Sequence, residues 1–318
     1  MTLDPDVARL IEASRTSSQP GYDEMPVAEA RALYRTSRLA AGLPAPAVAE
    51  RQSLNAEGPH GLIPLRLYRP HGVSAGPLPV IVYFHGGGWV LGDLDVFESL
   101  CCRLANASVC AVASVDYRLA PEHKFPKAVD DAYAAVQWIG ARATDLNIDA
   151  TRLAVAGDSA GGNLAAVVCL LARDKGGPAI AYQILLYPVT DASMGCPSYE
   201  RFGAGYLLTR ESMAWFYDCY APQDIDRTDF RLSPLAAQSL AGLPPALVLT
   251  AGFDPLRDEG ECYAQRLAAE ANVPVTLWRV AGQVHGFLPM SKQIAAAGPV
   301  IDKVGRIVGN ALGAVPRP

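Results

Sequence analysis

Five residues, Gly157-Asp158-Ser159-Ala160-Gly161, set one hydroxyl among neighbours too small to crowd it. They join an apolar run, RLAVAG (152–157), to a stretch of helical character, GGNLAAVVCLLAR (161–173). A serine on such a strand-to-helix turn projects into a cleft, and small residues beside it let the strand and helix pass close together. The helix N-terminus adds amide donors and the positive end of a dipole, both suited to a developing oxyanion. The pattern alone also describes a tight structural turn; its placement between strand and helix points to a nucleophile, Ser159.

A serine hydroxyl attacks only when a base takes its proton. Of the five histidines, His60 and His71 lie in early turns and are expected to face solvent, and His85 and His123 belong to other motifs. His285, in VAGQVHGFLP, follows the last strand-like segment on a loop and is the candidate base. An imidazole in that role needs a carboxylate to hold its tautomer and steady its charge. Asp254 follows a strand in LVLTAGFDPLRDEG, which gives the chain order Ser, Asp, His. Asp258 and Glu259 are rivals, but they read as the charged first turn of the next helix, whereas Pro255 redirects the chain just after Asp254. Donors for an oxyanion are expected from YFHGGGWVLGD (83–93), where Gly86 and Gly87 join the amide of Ala160. A phosphate loop is the competing reading of the three glycines, but no Gly-Lys-Ser/Thr follows them.

These residues must be brought together by the elements around them. Residues 1–45 read as helical, with Val7, Leu10 and Ile11 on one face, and RQSLNAEGPHGLIPLRLYRP reads as an antiparallel pair about a Gly-Pro-His-Gly turn. Strand-like runs then recur at 77–84, 107–117, 152–157, 181–189, 245–252 and 274–280. They alternate with helical stretches such as 128–142, whose stripe is Val129, Tyr133, Val136 and Ile139, and 259–273. Near-continuous apolar strands separated by helices imply an α/β fold with a parallel sheet covered on both faces. Residues 191–240 break the alternation and carry several aromatics, which points to an inserted cap. Together with residues 1–45 it would cover a core of residues 46–190 and 241–318, at the carboxyl ends of the strands where open α/β sheets bind ligands.

Composition narrows the partners. Half of the 318 residues are hydrophobic and the net charge is −5 with dispersed Lys and Arg, which argues against nucleic acid and membrane surfaces and for a small-molecule substrate. Seven cysteines without a CxxC pair are expected to be buried reduced thiols, with no catalytic part for Cys169. No basic and apolar leader opens the chain and no run approaches a membrane span, so a cytoplasmic protein is expected.

With HGGGW, DYRLAPEHKFP, GDSAGGN, DPLRDEG and HGF in this order, the chain from about residue 50 onward resembles the hormone-sensitive-lipase-like esterases of the α/β-hydrolase superfamily. The resemblance implies an eight-stranded, mostly parallel sheet, a helical cap, and carboxylic-ester hydrolysis without metal or cofactor, on short- to medium-chain acyl esters. It casts Ser159 as nucleophile, Asp254 as acid, His285 as base, and Gly86, Gly87 and Ala160 as the oxyanion hole. Glu122 and His123 become structural. Tyr206, Trp215 and Phe216 of the cap are candidates for the substrate pocket, though helical spacing suits a core role as well. Pairing of two copies through terminal strands is the assembly the resemblance suggests. Amide hydrolysis, as by an arylformamidase, is the alternative chemistry. A non-catalytic receptor resembling those for gibberellin is the alternative class, and the presence of His285 argues against it.

Overall fold

Apolar runs long enough to be covered on both faces require helices between them, and the computed structural model, which describes residues 1–73 and 76–314, is built that way. In chain order the elements begin α1 (Pro5–Thr16), α2 (Val27–Ala41), β1 (Glu50–Gly58), β2 (Gly61–Arg69), β3 (Leu78–Phe84), α3 (Glu98–Ser108) and β4 (Ala111–Val115). They continue α4 (Lys127–Ala141), β5 (Ile148–Asp158), α5 (Ala160–Lys175), β6 (Tyr182–Leu186), α6 (Pro197–Phe202), α7 (Arg210–Tyr220), β7 (Ala246–Phe253), α8 (Arg257–Ala271), β8 (Val275–Val284) and α9 (Ala297–Ala311).

Among the described residues eight strands form one sheet in the order β1-β2-β4-β3-β5-β6-β7-β8. The β1–β2 hairpin and the β2–β4 pair are antiparallel, and every other neighbour is parallel. Every residue of β3, β4, β6 and β7 is buried, so these strands read in the sequence as near-continuous apolar runs rather than as alternations. The stripe of α4 is buried as its spacing predicts.

Three expectations change. The strand expected over 107–117 shrinks to β4, because α3 runs through Ser108 and ends on Val109 in the left-handed conformation, at φ 58°. Helix and strand are both apolar there, so the boundary is invisible to periodicity. His60 is half-buried rather than solvent-facing, its Nε2 lying 2.8 Å from Asp130 Oδ2 on α4. Among the thiols, Cys101, Cys102, Cys110 and Cys169 are buried, Cys196 and Cys219 are half-buried and Cys262 is exposed. No helix among the described residues is long and apolar enough to cross a membrane.

The segment between β6 and β7 meets the N-terminal one: Ser212 Oγ on α7 donates to Asp23 Oδ1 at 3.0 Å. Beneath them, β5 turns into α5 at Ser159, and the turn closes only because its flanks lack side chains. A Cβ on Gly157 would lie 2.2 Å from the Gly161 carbonyl, and one on Gly161 only 1.9 Å from the Phe84 carbonyl oxygen. Gly161→Ala is therefore expected to push α5 off β3. Chemical denaturation should show a loss of about 1–3 kcal/mol or more, with the soluble fraction losing whatever activity depends on Ser159.

Candidate active site

At the carboxyl ends of β5, β7 and β8, three side chains form one hydrogen-bonded chain. Ser159 sits at φ 57°, a strained setting for a residue with a side chain, and such settings recur at working sites. Its amide donates to the Leu186 carbonyl at 2.9 Å and its carbonyl accepts from Val189 at 3.2 Å, which pins the turn to the end of β6. The hydroxyl lies 2.9 Å from His285 Nε2. His285 follows β8 directly, and its Nδ1 lies 2.8 Å from Asp254 Oδ2. Asp254 is fully buried just past β7, and its other oxygen accepts from the Leu256 amide at 2.8 Å, so the carboxylate cannot swing away. With Nδ1–H donated to Asp254, Nε2 is the lone-pair nitrogen and is placed to take the serine proton.

The rivals to Asp254 point elsewhere. Asp258 pairs with Arg257 at 2.7 Å. Glu259 is buried, accepts from the Thr190 amide at 2.7 Å, and has its carboxyl held well above the usual range by burial.

The glycine loop differs from expectation at one residue. The Gly86 amide donates to Asp158 Oδ1 at 2.8 Å, so it is not a free donor. Asp158 is itself buried, burial raises its carboxyl pKa, and the same oxygen accepts from the Tyr83 hydroxyl at 2.7 Å. A buried carboxylate needs such donors, and the nearest amide of the loop supplies one. Among the described residues nothing accepts from the amides of Gly87, Gly88 or Ala160. Gly87 and Gly88 both have positive φ, at 116° and 61°. These three amides, not that of Gly86, are therefore available to an oxyanion.

Aromatic packing fixes the loop. His85 stacks on Tyr117 with ring centres 4.4 Å apart, and the Tyr117 hydroxyl donates to the His85 carbonyl at 2.7 Å. Trp89 stacks on Tyr220 of α7 at 4.4 Å and 7°. Arg31 of α2 donates to the carbonyls of Val90 at 2.9 Å and Ala120 at 2.8 Å and pairs with Glu122 at 2.7 Å. Glu122 thus anchors a loop, while His123 is exposed.

A family model described as the α/β-hydrolase fold matches residues 81–289. The chain belongs to the α/β-hydrolase family. That family includes the hormone-sensitive-lipase-like esterases. This hydrolase is 46% identical to a carboxylic ester hydrolase of Mycobacterium tuberculosis, LipN, over 90% of its own chain and 77% of that protein. It is 41% identical to an ethyl acetate hydrolase of Pseudomonas putida, over 93% of this chain and 95% of that one. Among solved structures, the ester-hydrolase EH1AB1 from the Lake Arreo metagenome, complexed with a bipyridine phosphonate derivative, superposes with a TM-score of 0.94. It is 43% identical and the match covers 98% of this chain and 100% of that one.

Of the aromatics expected in a pocket, Phe216 lies directly on the hydrolase's glycine loop: a Cβ on Gly88 would fall 2.2 Å from its ring. Trp215 is half-buried with its ring centre 5.1 Å from that of Phe216. Tyr206 stacks on Phe253, the neighbour of Asp254, at 5.4 Å. Sequence reasoning passed over Gly88, Asp158 and Tyr187. Tyr187 is buried with its ring centre 4.9 Å from that of His285, and its place just past the carboxyl end of β6 was the available signal.

If Asp158 acts by accepting from Gly86 and Tyr83, an amide oxygen serves as well as a carboxylate. Asp158→Asn is expected to stay within severalfold of wild-type turnover of a p-nitrophenyl ester, and Asp158→Ala to lose roughly 10- to 100-fold in kcat with little change in KM. Equal losses in both variants would point to the charge instead.

Proposed function

We propose that this hydrolase is a carboxylesterase acting on short- to medium-chain acyl esters through a covalent acyl-serine. The observation that carries the reading is the unbroken chain from Asp254 through His285 to Ser159, 2.8 and 2.9 Å, beside three unclaimed amides. Relatives named carboxylic ester hydrolase and ethyl acetate hydrolase support ester cleavage as the chemistry.

His285 Nε2 takes the Ser159 proton as Oγ attacks the ester carbonyl. The oxygen that becomes negative is received by the amides of Gly87, Gly88 and Ala160 at the α5 N-terminus, where each such donor is worth roughly 100- to 1000-fold in rate. Asp254 holds the imidazole and steadies its charge, and His285 then protonates the departing alcohol. Water deprotonated by His285 attacks the acyl-serine, and the acid leaves. In this reading residues 1–45 and 191–240 act as a cap over a core of 46–190 and 241–318, supported by the Ser212–Asp23 bond and by the α7 rings on the glycine loop. Phe216 walls the acyl side with Trp215 against it, and Tyr206 lies by Phe253, next to Asp254. β8 is an edge of the sheet among the described residues, tied there to Asp4 through the Gly282 carbonyl at 2.9 Å, and its exposed Leu277 supports pairing of two copies along the rest of that edge.

Ser159→Ala is expected to lose about a million-fold in kcat on a p-nitrophenyl ester with its circular dichroism unchanged, and to escape labelling by a fluorophosphonate that modifies the wild type. Full residual turnover would remove the assignment. Phe216→Ala should widen the pocket and shift kcat/KM toward longer acyl chains by roughly tenfold, read from a C2 to C10 ester panel.

A further inference from the structure

Arg38 is a cation beside the working histidine that the mechanism leaves idle. It stands in the last turn of α2, half-buried, with its guanidinium 5.2 Å from the centre of the Tyr34 ring. Its Nη2 lies 3.8 Å from the point a Cβ on Gly286 would occupy, so it overhangs the residue directly after His285. Its Nε is buried with no hydrogen-bond partner. A buried donor on a cation left unmatched is costly, and such a group normally waits for an acceptor.

A cavity adjoins it, lined by none of Ser159, Asp254 and His285, so Gly286 is the link between Arg38 and the site. Arg38 lines a cavity of about 720 Å³ whose walls include Leu39, Leu100, Leu288, Pro289 and Lys292. Acidic groups in the same wall are already engaged. Asp95 is held by Arg35 at 2.5 Å and Arg66 at 3.0 Å, and Glu98 by Arg51 at 2.9 Å and Arg66 at 2.8 Å. Arg103, a further cation of the lining, is taken by Asp302 at 2.8 Å. Arg38 and the exposed Lys292 pair with no carboxylate among the described residues, so the cavity keeps two unpaired positive charges in walls that mix apolar and charged residues.

We infer that Arg38, assisted by Lys292, is an anion subsite for the substrate, and that the preferred esters carry a free carboxylate on their alcohol portion. The inference rests on the esterase reading and names its substrate class. The side follows from the mechanism. His285 protonates the leaving oxygen, so the alcohol lies against His285 while the carbonyl oxygen faces the glycine loop. Arg38 stands on the His285 side, beyond Gly286. A guanidinium presents two parallel donors that match a carboxylate, and in a half-buried setting the pairing is screened less than on an open surface.

The test is a series of ω-acetoxyalkanoates, from 3-acetoxypropanoate to 6-acetoxyhexanoate, each set against its uncharged isostere, such as 4-methylpentyl acetate for 4-acetoxybutanoate. The best member is expected to exceed its isostere at least tenfold in kcat/KM. Arg38→Met should lower that ratio tenfold or more, each enzyme's neutral ester serving as its own reference, and Arg38→Lys should keep more of it. In the wild type the ratio should fall as salt rises from about 0.05 to about 0.5 M. The proposal is overturned if no acetoxyalkanoate is preferred, if the Met variant keeps the ratio, or if salt leaves it unmoved. Neutral-ester turnover that disappears with Ser159→Ala would leave the esterase reading standing in each of those cases.

Discussion

The whole site depends on how closely α5 passes under the end of β3. The backbone of Gly161 faces the Phe84 carbonyl with no room for a methyl group, and this contact fixes where Ser159 can be. A positive φ at Ser159 follows from turning a strand into a helix within one residue, and the surrounding hydrogen bonds to Leu186 and Val189 hold it there. The strain is offset by the packing of an almost wholly buried helix against the sheet.

Asp158, adjacent to Ser159, extends that constraint to the glycine loop. Burial makes its carboxylate seek donors, and it finds them in Tyr83 and Gly86, one on the strand and one on the loop that follows. The loop is thereby tied to the same turn that carries the hydroxyl. From the other side, α7 places Phe216 on Gly88 and Tyr220 on Trp89, so the segment between β6 and β7 packs directly on the glycine loop. Asn163 adds a third tie, its side-chain amide donating to the carbonyls of Val189 at 3.1 Å and Leu232 at 2.9 Å.

Much of the fold was legible because burial on both sheet faces leaves long apolar runs, and α4 was legible because its buried stripe recurs at the helical period. Boundaries between two buried elements were not, as at Ser108–Ala111, where neither side alternates with polar residues. Ser159, Asp254 and His285 stood out because each directly follows a strand, with Pro255 setting Asp254 apart from Asp258 and Glu259 in the next helix. Gly86 was misjudged: three glycines in a row look alike on paper, and only a carboxylate from another strand distinguishes the first from the next two. His60 was misjudged for a similar reason, since its partner Asp130 lies on a helix far along the chain.

By itself the sequence determined which groups are available for acyl transfer, in what order they follow the strands, and that a parallel sheet would collect them at one end. These are properties of residue type and local period. Tertiary structure alone decided which amides remain free, which ring lies on the glycine loop, and that Arg38 of an early helix overhangs the neighbour of His285. Those depend on distances between segments remote in the chain, and such distances are set by packing rather than by spacing.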